Sequence, residues 1–479
     1  MSQGSPFFHS QRISLKTIAQ KNTKQIRTEI IILILPIILE NILQLSAGVI
    51  STAMIGRLTA ADISGQGICL RLTDTLWCLY KGIGIGATIL IARAYGEGNN
   101  RKVDHITVQT FRTAVPLSIL FALILFLTPL TFLQFFTSNP SILKQALLFM
   151  RIIIFGFPFV ITMQIVTASF QGRGDTKTPM FIALLVNLVN IISGYLLIFG
   201  SLGFPAMGIQ GAAISLVLSQ AAGAGAGVYL LYGRRGQLNL KNRNKESSFL
   251  DKNMIAKIYH MGLPASFESM FWQFSAIILS KIILSYGEGP FAAYQLGIQA
   301  ETLTEMPAIG FGIAATTLTA RAIGMKDPEL YKQYFKQLLQ LSLGISVGTS
   351  LLLITMPGVF MSLMTDNPEL KAIGILYVAI MGTIQIPQNL SRIFNGAIRA
   401  AGYSRIPMYI AGAGIWGFRI PLALLTAYVF HWDLVFIWLC IAVDQIMRFI
   451  LSILVYKNKR IAHFINREPS IPVKGNIAL

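Results

Sequence analysis

The sequence predicts an all-α polytopic membrane protein of about twelve transmembrane helices in two parallel six-helix repeats, and three observations predict it. The first is composition: 54% of the 479 residues are hydrophobic and 12% are charged, about half the ~25% charged share of ordinary globular chains. Runs such as IIILILPIILENILQLSAGVI (30–50), AVPLSILFALILFLTPLTFL (114–133) and FIALLVNLVNIISGYLLIFG (181–200) hold one charge or none. About 20 such residues, rising 1.5 Å each, cross a ~30 Å hydrocarbon core. The second is a doubled stretch: GIGIGATILIARAYG (82–96) returns as GFGIAATTLTARAIG (310–324), an offset of 310 − 82 = 228 residues. The third is that basic residues collect in alternate connections.

Taken in order, the spans are expected near 29–56, 64–95, 106–132, 145–170, 179–200 and 209–232, then 255–285, 292–323, 334–359, 370–397, 407–430 and 434–456. Each is a helix, because lipid offers backbone N–H and C=O groups no other partner. The first is not expected to be a cleaved signal: a long polar leader precedes it, its apolar core is too long, and no small-residue cleavage site follows. In the first span of each half, LPIILE with Pro36 and Glu40 becomes LPASFE with Pro264 and Glu268. The second spans carry the glycine stretch. Ahead of the fourth spans TSNP (137–140) maps to TDNP (365–368), and after them GRGDTKTPM maps to RAAGYSRIPM. One gapless offset aligns all of these, and six spans per half keep both halves in one orientation, so the repeats are parallel. The chain divides into a basic tail (1–28), a first six-helix lobe (29–232), a basic linker (233–254), a second lobe (255–456) and a basic tail (457–479).

The formal charge of +19 follows this topology. Arg12, Lys16, Lys21, Lys24 and Arg27, the segment RRGQLNLKNRNKE (234–246), the tail YKNKRIAHFINRE and the turns at Arg173/Lys177 and Arg399/Arg405 all fall on one side, while SLGFPAMG (201–208) and YGEGP (286–290) are nearly free of Lys and Arg. The positive-inside rule makes both termini and the linker cytoplasmic, with membrane lipid headgroups a secondary partner of the basic segments. No soluble domain is left to bind nucleic acid. Cys69, Cys78 and Cys440 lie in spans without metal spacing and read as small apolar residues. No His-Glu-x-x-His and no Gly-x-Ser-x-Gly occurs, so neither an enzyme nor a metal site is expected. The glycines precede no Gly-Lys-Ser/Thr, which excludes a nucleotide loop. Gly82, Gly84, Gly310 and Gly312 are instead expected to let helices approach closely, with Arg93 and Arg321 at a helix end beside a glycine stop. Arg-Gly-Asp at 173–175 reads as turn chemistry.

Ionisable groups deep in a span are costly and are functional candidates by default. Glu40, Asp74, Glu268, Glu301 and Glu305 each lie near mid-span. Asp74 follows Arg71 by three residues, so a structural pair competes with a transport role. Glu40 and Glu268 follow their prolines by one turn and can equally serve backbone groups freed there. Glu301 and Glu305 share a face with no basic neighbour at helical spacing. Asp444 and Arg448 are spaced as an ion pair. Phe271, Trp272, Trp77 and Tyr80 are aromatic candidates for a cavity wall.

These stretches (LPIILENILQLSAGVISTAMIGRL, GIGIGATILIARAYG, QGRGDTKTP, their second copies, and GIWGFRIPLALL at 414–425) together resemble a bacterial-type MATE (multidrug and toxic compound extrusion) transporter over nearly all of 29–456. The resemblance implies two lobes facing a central cavity in the plasma (bacterial inner) membrane. It also implies alternating access and export of small organic, often cationic, compounds against protons or sodium ions without a cofactor. No oligomeric partner is implied, and a monomer is compatible with it. Members often carry Asp-Thr where this chain has Ser51-Thr52. A further acid of an Asn-x-x-x-Asp pattern is Gly194 here, after Asn190, and a tenth-span acid falls at Gln388. Coupling is therefore expected to move to Glu268 with Glu301 or Glu305, beside a polar first-helix stripe of Glu40, Gln44 and Ser51. A flippase for lipid-linked saccharides shares the two-lobe plan and is the alternative. Its anionic cargo calls for several cavity cations, for which Arg71, Lys81 and Lys281 are candidates.

Overall fold

The computed structural model describes residues 22–233 and 249–458. The basic segments at 1–21, 234–248 and 459–479, on which much of the sidedness expectation rests, lie outside the described residues. Among those described there is no strand, and twelve helices are long and apolar enough to cross a membrane. They are α1 Thr23–Ile55, α2 Ala60–Gly96, α3 Asn100–Leu127, α4 Pro140–Gly172, α5 Lys177–Phe199, α6 Ile209–Tyr232, α7 Lys252–Leu284, α8 Glu288–Gly324, α9 Pro328–Thr355, α10 Pro368–Ala400, α11 Arg405–Val429 and α12 Leu434–Asn458. The third and ninth spans end sooner than expected, at Thr128 and Met356, where a proline begins a short separate helix (Pro129–Gln134 and Pro357–Met364). Proline cannot take the N–H bond of a continuing helix but suits the first position of a new one.

The repeated motifs become repeated caps. In TSNP and TDNP the Asn is the N-cap and the Pro opens the helix. Asn139 Oδ1 accepts from the Ser141 N–H at 3.0 Å, and Asn367 Oδ1 from the Glu369 N–H at 2.9 Å. Such a side-chain acceptor satisfies a first-turn donor that the helix leaves orphaned. The turn after each fourth helix uses a left-handed glycine, Gly174 (φ +85°) and Gly402 (φ +102°), so the Arg-Gly-Asp stretch is a helix-ending turn.

The two halves meet along α2 and α8. From Gly82 to Gly96 every residue of α2 except Ile85 and Tyr95 is buried, and α8 is buried throughout 314–322. A Cβ on Gly96 would strike the Arg321 carbonyl, and one on Gly324 would strike the Arg93 carbonyl. This corrects the expectation of a glycine stop: both glycines are still helical, and their bareness lets the two helix ends touch. Further along, the α2 backbone at Gly82 and Gly86 lies against Gly262 and Ser266 of α7.

The first helix of each half crosses to the other half on this same side. Ile26, Ile30, Leu33, Ile34 and Ile37 of α1 are buried in one cluster with Phe311, Leu330, Tyr334 and Phe394. Arg27 Nε donates to Gln337 of α9 at 2.6 Å. In the other half the start of α7 is clipped to α3, where the Asp251 N–H donates to Gln109 at 3.3 Å and Asp251 pairs with His105 at 3.0 Å. Gln109 and Gln337 are counterparts at the 228 offset. The halves are thus closed on the side bearing the start of α1 and the 233–249 connection.

Candidate functional site

Toward the opposite side α2 changes character. Gly67, Arg71, Asp74, Trp77 and Lys81 are exposed, at helical spacing, on a helix otherwise enclosed by protein. Lipid would not accept Arg71, Asp74 and Lys81. The stripe therefore faces a space between the lobes, open on the side away from the seam, with Lys81 one residue from where the seam begins. Lys81 stacks over Trp77 (5.5 Å) and makes no ion pair among the described residues.

Glu40 and Glu268 occupy equivalent places and differ in partner. Glu40 on α1 is buried and accepts a hydrogen bond from Gln171 Nε2 of α4 at 3.3 Å. Glu268 on α7 is paired with Arg399 of α10. Gln171 and Arg399 are themselves counterparts at the 228 offset. The geometry is kept while an amide becomes a guanidinium. The same exchange recurs nearby: a Cβ on Gly84 would lie 3.5 Å from Gln164, and one on Gly312 would lie 3.5 Å from its counterpart Arg392.

Glu305 is held by Arg392 Nη2 at 2.8 Å and by Gln388, so the absence of a basic neighbour at helical spacing did not leave it unpaired. Glu301, one turn away, accepts from the Tyr377 hydroxyl at 2.7 Å and forms no ion pair among the described residues. Asp74 forms no ion pair with Arg71 among the described residues, although the two charges still attract each other along one helix. Neither proline-linked acid serves the backbone.

Asp444 is fully buried between Arg419 (2.7 Å) and Arg448 (3.0 Å). Trp272 lies against both guanidinium groups, 4.7 and 4.2 Å from its ring centroid. The helix is wound as π-type turns at Ile415–Arg419, which carries Arg419 inward, and Gly414 leaves room for Asp444 and Arg448. The expected i, i+4 pair is present, and Arg419 is a third member that spacing did not indicate. Trp272 packs on this triad.

The remaining candidates scatter. Gln44 is exposed, whereas Ser51 and Asn190 are buried, Asn190 accepting from Ser215 at 3.4 Å. A Cβ at Gly194 would lie 3.5 Å from Ser215 Oγ. Pro36 and Pro264 sit inside unbroken helices. Tyr80 belongs to the core, and Cys69, Cys78 and Cys440 are free and buried. Among the described residues no cluster suits a metal ion. Chemically the site holds two kinds of acid. Among the described residues Glu268, Glu305 and Asp444 are paired with arginines, whereas Glu40 and Glu301 are hydrogen-bonded by neutral donors.

Comparison with known proteins matches the same two stretches. The MatE family model fits residues 36–196 and again 264–425. The chain is 29% identical over 439 residues to the probable multidrug resistance protein NorM of Thermotoga maritima, covering 92% of this chain and 94% of that protein. It is 24% identical over 454 residues to the probable multidrug resistance protein YoeA of Bacillus subtilis, covering 94% and 98%. Among solved structures, a multidrug resistance MATE family transporter in an outward-facing conformation superposes with TM-score 0.82 at 16% identity, covering 94% of this chain and 98% of that one. A MOP superfamily transporter from Pyrococcus furiosus, whose binding pocket is described as of reverse polarity, does so with TM-score 0.84 at 15% identity, covering 94% and 98%.

Proposed function

The chain belongs to the MatE family of membrane transporters, and from that premise we propose that it is a secondary active antiporter exporting small organic compounds in exchange for protons or sodium ions. Its tails and linker are cytoplasmic in this reading, which the basic segments support. The seam then closes the cytoplasmic side, and the exposed α2 stripe faces outward.

The observation that carries the coupling is the unequal pair Glu40–Gln171 and Glu268–Arg399. An ion drives uphill export only if it binds the two lobe states differently. An acid already neutralised by arginine has little use for another cation, and removing its charge strands the arginine. Glu40 and Glu301 can take a proton or a sodium ion without stranding anything. They are the coupling acids of this proposal, in preference to Glu268 and Glu305. Everted vesicles given pH or sodium gradients separately test it. Glu40→Gln or Glu301→Gln should cut gradient-driven export tenfold or more while leaving membrane insertion unchanged. Parental pumping by both variants would overturn the assignment.

The runner-up, a flippase for lipid-linked saccharides, is favoured by one observation: Lys81 of the first half and Arg392 and Arg399 of the second are charged neighbours between the lobes. Transfer of a labelled lipid-linked sugar across reconstituted vesicles, with no drug export, would select it.

A further inference from the structure

The acids deep in the second lobe led the sequence reading toward cationic cargo. The geometry gives these acids partners of their own. Glu268, Glu305 and Asp444 are each neutralised by at least one arginine. What remains facing the space between the lobes is Lys81, exposed and without an ion pair among the described residues. Its chain neighbour Gly82 lies against Ser266 of α7, two residues from Glu268, which Arg399 pairs with, so the other lobe brings Glu268, Arg399 and Arg392 to it as charged neighbours. Arg399 also keeps a buried Nε–H without a hydrogen-bond partner.

The internal repeat shows that these cations are not needed to build the fold. At the positions of Arg392, Arg399 and Lys81 the other half has Gln164, Gln171 and Ile309. Gln171 holds Glu40 in the same helix-to-helix contact that Arg399 makes with Glu268. An amide therefore suffices for that contact, and at each of the three positions the positive charge is present in only one of the two copies. Arg392 and Arg399 are matched by Glu305 and Glu268, and Glu301, one turn from Glu305, is held by Tyr377; Lys81, at the inner end of an open space, is the member of this cation set with no carboxylate paired to it among the described residues. Arginine and lysine together suit an oxyanion, which accepts several charge-assisted hydrogen bonds at once. Trp77, beneath Lys81, offers an aromatic face beside that position.

We propose that Lys81, with Arg392 and Arg399 across the lobe interface, binds a carboxylate or phosphate group of the transported molecule, making the cargo an amphipathic organic anion or zwitterion. This rests on the export reading above. Its test uses equilibrium binding without any gradient, so a failure here leaves export itself standing.

The purified full chain in neutral detergent would be titrated with carboxyfluorescein, an anionic probe, and with ethidium, a cationic one. The parental protein should bind carboxyfluorescein. Lys81→Gln should weaken that binding about tenfold or more, the worth of one charge-assisted hydrogen bond, with ethidium binding unchanged or tighter. Arg399→Gln, which writes the other half's residue into the same contact, should do likewise and keep the parental thermal unfolding profile. Competition then separates the sources of the oxyanion. Displacement of the dye by short-chain phosphatidylglycerol, dependent on Lys81, assigns a lipid headgroup, and displacement by soluble aryl carboxylates alone assigns a free organic anion. Equal carboxyfluorescein affinity in the parental protein, Lys81→Gln and Arg399→Gln, or binding of ethidium only, would overturn the proposal.

Discussion

At the scale of single residues, the charged groups differ in what their removal strands. Asp444 has no exposure and sits between two arginines. Asp444→Asn would leave two guanidinium groups buried around one neutral amide. Breaking a buried ion pair from one side costs about 3–5 kcal/mol. The variant should therefore unfold at a clearly lower temperature in detergent, whereas Glu40→Gln, whose partner is an amide, should stay near the parental midpoint. A thermal midpoint for Asp444→Asn equal to that of Glu40→Gln would contradict this account. Asp251, at the entrance to α7, behaves oppositely to a buried acid. The hydrogen bond from His105 comes first among the groups holding its carboxyl below the ordinary aspartate range. A carboxylate whose folded-state value is depressed stabilises above its unfolded value and loses that contribution as pH falls through the folded one. The clip between α3 and α7 should thus loosen in acid, below about pH 3.9, where a free aspartate begins to protonate. The protection of the backbone amides at 251–255, taken relative to their slower intrinsic exchange in acid, should fall there, and His105→Gln should flatten that dependence.

At the scale of helices, the spans were legible because lipid imposes both length and apolarity, and the offset of 228 was legible because both copies keep their caps and turns. Asn139 and Asn367 show how: the residue type is dictated locally by an orphan N–H, so the motif and the structure carry the same information. The partners of the deep acids were not legible from spacing. Glu268 meets Arg399 and Glu305 meets Arg392 from different helices, and helical periodicity describes one helix at a time. A usable signal was nevertheless present. The alignment that matched Glu40 to Glu268 also matched Gln171 to Arg399 and Gln164 to Arg392, and the change from amide to guanidinium marked where the halves had parted chemically. The glycine stretch suggested close packing, and at Gly82 the backbone of α7 lies against it; the role of Gly96 and Gly324 depends on the second lobe, which one helix's sequence does not show.

At the scale of the whole molecule, closure depends on bare backbone at the far end of α2 and α8. Gly96→Val would drive a side chain into the Arg321 carbonyl and should shift the population toward an open seam. A cysteine at Ala320, which is fully buried in the seam beside Ile89 and Ala92, would report it in a background lacking Cys69, Cys78 and Cys440. Its alkylation by a membrane-permeant maleimide should be faster in the Gly96→Val protein, and an unchanged rate would refute the wedge. The backbone contact of Gly82 with Gly262 gives the molecule the mechanics of a lever. The seam's outer end lies about 20 Å from that contact, some fifteen residues at 1.5 Å each, whereas Lys81 adjoins it. When the two arms of a lever rock, points far from the fulcrum sweep widely and points beside it hardly move. Spin labels at positions 97 and 325 should therefore separate strongly between states, while labels flanking Lys81 and Ser266 keep nearly the same distance. In the export cycle proposed above, a compound held at the fulcrum would not travel while the gates exchange: water would reach it first from one side of the membrane and then from the other.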